Sequence, residues 1–244
     1  MAYTFTAGAL STVVASGDIT CNFPASPEVG DIFVAFLTLR SNVGCTQATW
    51  TKVHESLTGD TDGTAGVASG QVWWFRYAGS GTSVTFSRTG GDRGQGVIIG
   101  VRGCVASDDP IDAQAITTVT TAAGGSAAFS NVTATAGGVA RALLAFLAIG
   151  DNGTGGDFAS TTPSGGTWTE VAMANDNTGA DGGGSVYYHN TGLAASTATS
   201  TLATTSSVAG THVVSTIALK PLVVPEFLPE LLARKRADVT HLRM

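Results

Sequence analysis

The sequence is poor in charged residues. Asp, Glu, Lys and Arg make up 12% of its 244 residues, about half the usual fraction for a soluble protein. Lys and Arg together number 12 against 18 Asp and Glu, and the formal net charge is −6. Because phosphate contacts need clustered Lys and Arg, this composition argues against a nucleic-acid partner. Ser, Thr, Gly and backbone must cover the surface instead, as is typical of extracellular or assembly-bound β-proteins.

Cysteine is scarce and confined to the first half of the chain, at Cys21, Cys45 and Cys104. An odd number without Cys-x-x-Cys spacing excludes a disulfide framework and a zinc site of four thiolates. We expect buried thiols, since unpaired cysteine is commonly a small core residue. A single Cys21–Cys45 or Cys45–Cys104 bridge is the alternative.

Segments that would target the chain to a membrane are also missing from the sequence. No apolar run reaches the length of a membrane-spanning helix, and residues 1–20 lack the basic and apolar regions of a secretory signal. We therefore expect no membrane partner, synthesis in a cytoplasm, and either retention there or release without a signal peptide, for example by lysis.

Catalytic motifs are absent too. The sequence has no Gly-x-Ser-x-Gly elbow, Walker A loop or His-Glu-x-x-His, and no distinctive carboxylate pair. Its four histidines are scattered, at His54, His189, His212 and His241. Residues 60–63 resemble the start of a calcium loop but lack the downstream Glu, and Asp beside Gly usually makes a turn. We predict no enzyme, no cofactor and no metal site.

The most informative stretch is residues 30–39, a nearly continuous apolar run opened by Gly-Asp and closed by Arg-Ser-Asn. Such a run, bounded by turn residues, predicts a strand that is buried on both faces. Residues 141–149 form a run of nearly the same length with the same central Ala-Phe-Leu. This second run is the twin of the first.

Other segments recur in the same order. Four of five positions are identical between residues 49–53 and 167–171. The further matching pairs are 20–23 with 127–130, 71–75 with 185–189, and 97–101 with 213–219. A two-copy internal duplication is the interpretation, with halves at residues 1–110 and 111–221, because the period is too long for a solenoid or propeller.

Many short strands separated by Gly-rich loops predict an all-β fold. More specifically, we expect a jelly-roll-like antiparallel β-sandwich over residues 1–221, built from the two duplicated halves. Each half could form its own sandwich, or both could close one larger sandwich; the apolar twin strands favour the second arrangement. Trp50 and Trp168 are expected in the core.

The chain changes character at residues 222–244. Pro225 near the start, acidic residues early and basic residues late predict a short C-terminal helix. An apolar stripe at Phe227, Leu228, Leu231 and Leu232 precedes a basic cluster at Arg234, Lys235 and Arg236. These seven residues are the predicted partner-binding site, either on the chain's own sandwich or on a neighbouring subunit.

Two pairs of adjacent aromatics, Trp73-Trp74 and Tyr187-Tyr188, lie on predicted strands. Adjacent residues of a strand point to opposite faces, so one member of each pair should face outward. Trp74 and Tyr188 are the candidates for exposed aromatic contacts, with Phe75 as the alternative to Trp74, since large exposed aromatics mark contact surfaces.

The order of motifs resembles a family of minor structural proteins of tailed bacteriophages and prophages, over about residues 15–221. The similar segments are the Gly-Asp-apolar strand at 30–39, Trp-Thr-x-Val at 50–53, an aromatic strand at 72–77, a short strand at 83–86, Arg-Gly at 102–103, Pro-Ile-Asp at 110–112 and Ile-Ala-Leu-Lys-Pro at 217–221. These motifs are structural, and the resemblance brings no catalytic residues.

The resemblance implies a non-enzymatic virion protein on the surface of a particle, such as a capsid decoration, head-fibre, spike or tail-associated protein. Its partners would be other virion proteins of the capsid, neck or tail, together with further copies of itself. The tail lies outside the resemblance and is expected to be the anchor. The alternative is a carbohydrate-binding adhesin or receptor-binding module that recognises a host-surface glycan.

Overall fold

The computed structural model describes residues 3–12, 14–57, 68–91, 93–121, 126–129, 132–133, 140–151, 158–159, 168–173, 181–189, 203–206 and 210–222. Within these ranges every regular element is a β-strand, and all the strand pairs are antiparallel. The all-β expectation is confirmed.

The described strands are numbered in chain order. Residues 1–110 contribute β1 (Thr4–Ala7), β2 (Ile19–Asn22), β3 (Ile32–Leu39), β4 (Thr51–Leu57), β5 (Ser69–Arg76), β6 (Ser83–Phe86) and β7 (Gly94–Arg102). Residues 111–221 contribute β8 (Ile111–Thr121), β9 (Ser126–Ala128), β10 (Ala142–Asp151), β11 (Phe158–Ala159), β12 (Trp168–Met173), β13 (Asp181–His189), β14 (Ala203–Ser206) and β15 (Gly210–Leu219).

Two five-stranded sheets form the body of the protein. Their strand orders are β1-β7-β3-β5-β4 in the first sheet and β12-β13-β10-β15-β8 in the second. Two smaller sheets accompany them, β2-β6 in the first half and β11-β14-β9 in the second. Each large sheet therefore has one of the two apolar twin strands, β3 or β10, at its centre.

Strand β3 is buried on both faces, as its sequence predicts. Ile32, Val34 and Phe36 face the second large sheet, whereas Phe33 and Leu37 face the opposite way. The same alternation holds in the twin, where Phe146 faces the first sheet and Leu147 faces away. A strand with cover on both sides needs apolar residues at every position, which explains the continuous runs.

The two large sheets pack against each other through one cluster of buried side chains from both halves. At its centre, the rings of Phe36 and Phe146 lie 5.3 Å apart between centroids. A Cβ atom at Gly70 would lie 3.0 Å from Phe146 Cε1, so the glycine lets this ring approach the backbone of β5. The two halves thus share a core.

The outer faces of the large sheets are covered as well. Ile19 and Cys21 of β2 and Phe86 of β6 pack on the first sheet. They form one buried cluster with Trp50 and with Trp73 of β5. The corresponding cluster on the second sheet includes Phe129 and Trp168. Trp50 and Trp168 are therefore core residues, as expected from the sequence.

The sequence also predicts a weak strand around residues 10–15, and one strand of the structure was not expected. The described residues of this stretch, 10–12 and 14–15, run beside β7 without forming a regular strand, held by hydrogen bonds from the amides of Ser11 and Val14 to the carbonyls of Gly96 and Gly94. The long strand β8 was not expected, and it pairs with β15 along its length. Its residues are chiefly Ala and Thr, which give little apolar contrast along the sequence.

A charged residue precedes each twin strand, Asp31 before β3 and Arg141 before β10. The two charges are opposite, and each residue forms an ion pair. Asp31 accepts two hydrogen bonds from Arg102, both at 2.9 Å. Burial alone would raise the pKa of Asp31, but the hydrogen bonds from Arg102 and from the amide of Glu28 outweigh it and lower the pKa. Arg141 instead donates from Nε to Asp112 Oδ2 at 2.7 Å.

Candidate functional site

The seven predicted binding residues of the tail, from Phe227 to Arg236, lie outside the described residues, as does the predicted helix. The structure does define where the tail leaves the sandwich. Pro221 bridges to Cys104, and the amide of Leu222 donates to the carbonyl of Gly103 at 2.8 Å. The tail therefore starts at one end of the sandwich, beside the connection between the two halves.

The two aromatic contact candidates are half-buried. Trp74 and Tyr188 both pack at the margin of the core between the large sheets. Tyr188 also stacks on Phe5 of β1, with ring centroids 4.7 Å apart and planes 16° apart. Their neighbours Trp73 and Tyr187 lie on the opposite, outer-face clusters. The predicted alternation is present, but both faces of each strand are covered.

A different surface feature, which we call the aromatic cleft, lies between residues 46–50 and strand β6. It has two adjoining lobes of about 290 Å³ and 470 Å³, which share Gln47 and Thr85 in their walls. The larger lobe is within the range of about 300–1,000 Å³ that is typical of small-molecule sites, and the smaller lobe is at its lower limit. The cleft draws on the turn before β4, on β5 and on β6, which the sandwich brings together.

Three aromatic side chains line the floor of the smaller lobe: Phe23, Trp50 and Phe75. Trp50 and Phe75 are stacked, with centroids 5.3 Å apart and planes 19° apart. Phe23 lies 6.4 Å from Trp50 between centroids. Trp50 is 6% exposed, and the two phenylalanines are half-buried. The floor is thus rigid and still partly open to solvent.

Amide and hydroxyl groups form the walls. Gln47 Oε1 accepts from the amide of Thr49 at 2.6 Å and from Thr49 Oγ1 at 3.0 Å. Ser83 and Thr85 of β6 also line the cleft, and Thr85 Oγ1 lies 3.0 Å from Thr20 Oγ1. None of the described residues that line either lobe carries an ionisable side chain.

The histidines of the described strands are packing residues. His54 Nε2 lies 2.6 Å from Ser215 Oγ, joining β4 of the first sheet to β15 of the second. Burial lowers the pKa of His54 to about 4. Burial also lowers the pKa of His189 and His212. No group of three His, Cys, Asp or Glu residues in the described part of the chain could hold a metal ion.

All three cysteines are free and buried, so the buried-thiol expectation is confirmed and neither bridge is formed. Burial raises the pKa of the Cys21 and Cys104 thiols to about 12 and that of Cys45 to about 11. Such thiols are poor nucleophiles near neutral pH. In the described ranges, no helix has the length and hydropathy needed to cross a membrane.

No family model, curated protein or solved structure matches this chain. Sequence reasoning missed the aromatic cleft because it assigned Trp50 to the core and gave Gln47 no role. The available signal was the alternation of β6, whose Ser83 and Thr85 point outward beside an aromatic strand.

Proposed function

We propose that this protein is a non-enzymatic structural component of a tailed phage or phage-like particle, exposed on its surface. The observation that carries the proposal is the contrast between the body and the tail. The described body is a sandwich with three clusters of buried side chains. The chain as a whole has few charged residues. The tail adds an apolar and basic stretch of sequence after Leu222, the residue at which the chain leaves that body.

Anchoring is the proposed role of the tail, at the capsid, neck or tail of the particle. Burial of each apolar side chain among Phe227, Leu228, Leu231 and Leu232 would contribute about 1.5–3 kcal/mol before ordering costs. The basic residues 234–236 would favour an acidic partner surface. The body, coated with Ser, Thr and Gly, would face the surroundings.

The resemblance to phage structural proteins supports the same proposal. Its motifs fall on framework strands: residues 30–39 include β3, 72–77 overlap β5, and 217–221 end β15. These segments determine the sandwich rather than a reaction site. A protein of this kind acts by assembly, and we propose that it does so as a homo-oligomer.

Deleting residues 223–244 tests the anchor. The deletion keeps Leu222 and its hydrogen bond to Gly103, so the body should remain folded by circular dichroism and thermal unfolding. We expect the truncated protein to be absent from purified particles. The matched control is Val29→Ser, which changes a residue that is 76% exposed on the body and should leave incorporation unchanged. Normal incorporation of the truncated protein would refute the anchoring role.

We also propose that the halves arose by duplication. Replacing each strand of the first sheet by its counterpart in chain position turns β1-β7-β3-β5-β4 into β8-β15-β10-β13-β12, which is the second sheet read from its other edge. The strand registers support the duplication. Phe36 of β3 lies opposite Val72 of β5, and Phe146, the equivalent residue of β10, lies opposite Val186 of β13. We also propose that the sandwich has a jelly-roll-like topology. Its support is that the chain passes between a large and a small sheet within each half.

A further inference from the structure

We propose that the aromatic cleft between residues 46–50 and β6 binds a neutral saccharide. The inference is independent of the anchoring role, because the cleft belongs to the described body and not to the tail. It also places saccharide binding away from Trp74 and Tyr188, the aromatics that the sequence suggested.

The floor fits one face of a sugar ring. A pyranose presents C–H groups on its apolar face, and an aromatic ring presents a negative face that attracts them. Phe23 and Phe75 are half-buried, so each can contact a ligand without leaving the core. The stacking of Phe75 on Trp50 fixes its ring before binding, which reduces the entropy that binding would cost.

The walls fit the hydroxyl groups of the sugar. Ser83, Thr85 and Gln47 supply side-chain donors and acceptors around the floor. Gln47 is oriented by its two hydrogen bonds with Thr49, so the amide does not have to become ordered on binding. A few placed polar groups over an apolar floor are the usual composition of a small-molecule site.

The described lining of the cleft has no charged side chain, and this favours a neutral ligand over an acidic one. A carboxylate or sulfate would lose water on entering the cleft without gaining an opposite charge, which is costly. A neutral sugar meets no such penalty. Acidic glycans should therefore bind more weakly than neutral ones of the same size.

The test uses the full chain on a glycan array that holds neutral oligosaccharides of glucose, galactose, mannose and N-acetylglucosamine together with sialylated and sulfated ones. The best neutral glycan is then titrated by calorimetry. We expect binding to neutral members and at least tenfold weaker binding to acidic ones. Binding to none of the neutral glycans, or preference for acidic ones, would overturn the proposal.

Variants then locate the site. Phe75→Leu keeps an apolar side chain but removes the aromatic face, and we expect at least tenfold weaker binding. Its matched control is Tyr188→Leu, which removes a half-buried ring that lies at the margin of the inter-sheet core. The proposal fails if Tyr188→Leu abolishes binding while Phe75→Leu leaves it intact.

A second pair of variants tests the polar wall. Gln47→Glu introduces a charge of nearly the same shape into the cleft, and it should weaken binding of the neutral glycan at least tenfold. The control Gln114→Glu makes the same change at an exposed position of β8 and should have no effect. Equal affinities of both variants and the parent would place the ligand elsewhere and overturn the assignment. Thermal unfolding of each variant verifies that it is folded.

Discussion

Replacing Asp112 by Asn should destabilise the protein by about 3–5 kcal/mol, because it removes one partner of a buried ion pair. Arg141 Nε donates to Asp112 Oδ2 at 2.7 Å, and the two side chains are only 8% and 3% exposed. Asn keeps the shape of the side chain but not its charge, so the buried guanidinium group would lose the negative charge of Asp112. Such a loss is a large fraction of the 5–15 kcal/mol that typical domains possess.

The assay is urea unfolding followed by tryptophan fluorescence, from which the free energy of unfolding is extrapolated. The control is Glu28→Gln. Glu28 pairs with Arg102, but the side chains are 67% and 39% exposed, so its loss should cost less than about 1 kcal/mol. The double variant Asp112→Leu with Arg141→Met should stay within about 1 kcal/mol of the parent, since an apolar pair avoids the desolvation of two charges. A cost below about 1 kcal/mol for Asp112→Asn would refute the reasoning.

Two further predictions concern titratable groups. Burial lowers the pKa of His54 to about 4 from 6.5, so its contribution to stability is complete above pH 6.5 and is lost as pH falls toward 4. That contribution is roughly 3 kcal/mol at most. Urea unfolding at pH 7 and pH 4.5 should show a smaller loss for His54→Gln than for the parent, and equal losses would contradict the assignment. The three buried thiols of the native protein should react slowly with a thiol reagent at pH 8. In denaturant all three should react at once. Rapid reaction of the native protein would contradict the burial of the thiols.

The sequence predicted the framework well where the apolar contrast was strong. Strands β3 and β10 were identifiable because both of their faces are covered, which requires apolar residues throughout. Strand β8 escaped detection because an edge strand of Ala and Thr can pair through its backbone with little side-chain burial. The pattern of apolar residues along a segment therefore identifies strands that are buried on both faces. It does not reliably identify edge strands with little side-chain burial.

The aromatic cleft could not be predicted in the same way. Phe23, Gln47 and Phe75 are far apart in the chain, and only the packing of the β2-β6 sheet on the first large sheet brings them together. The sequence showed that Trp73 and Trp74 face opposite ways. It did not show that a small sheet covers the outer face of one large sheet, and this determines which aromatic rings stay accessible.

Comparison of the halves at this position argues against two equal sites. By register, Trp168 and His189 occupy in the second sheet the positions that Trp50 and Phe75 occupy in the first. Trp168 meets His189 edge to face at 88°, whereas Trp50 and Phe75 are stacked, and His189 is buried. The half-buried apolar ring of the cleft is thus replaced by a buried imidazole. The same framework carries different outer surfaces in the two halves, so within the described residues the proposed saccharide site has no equal in the second half.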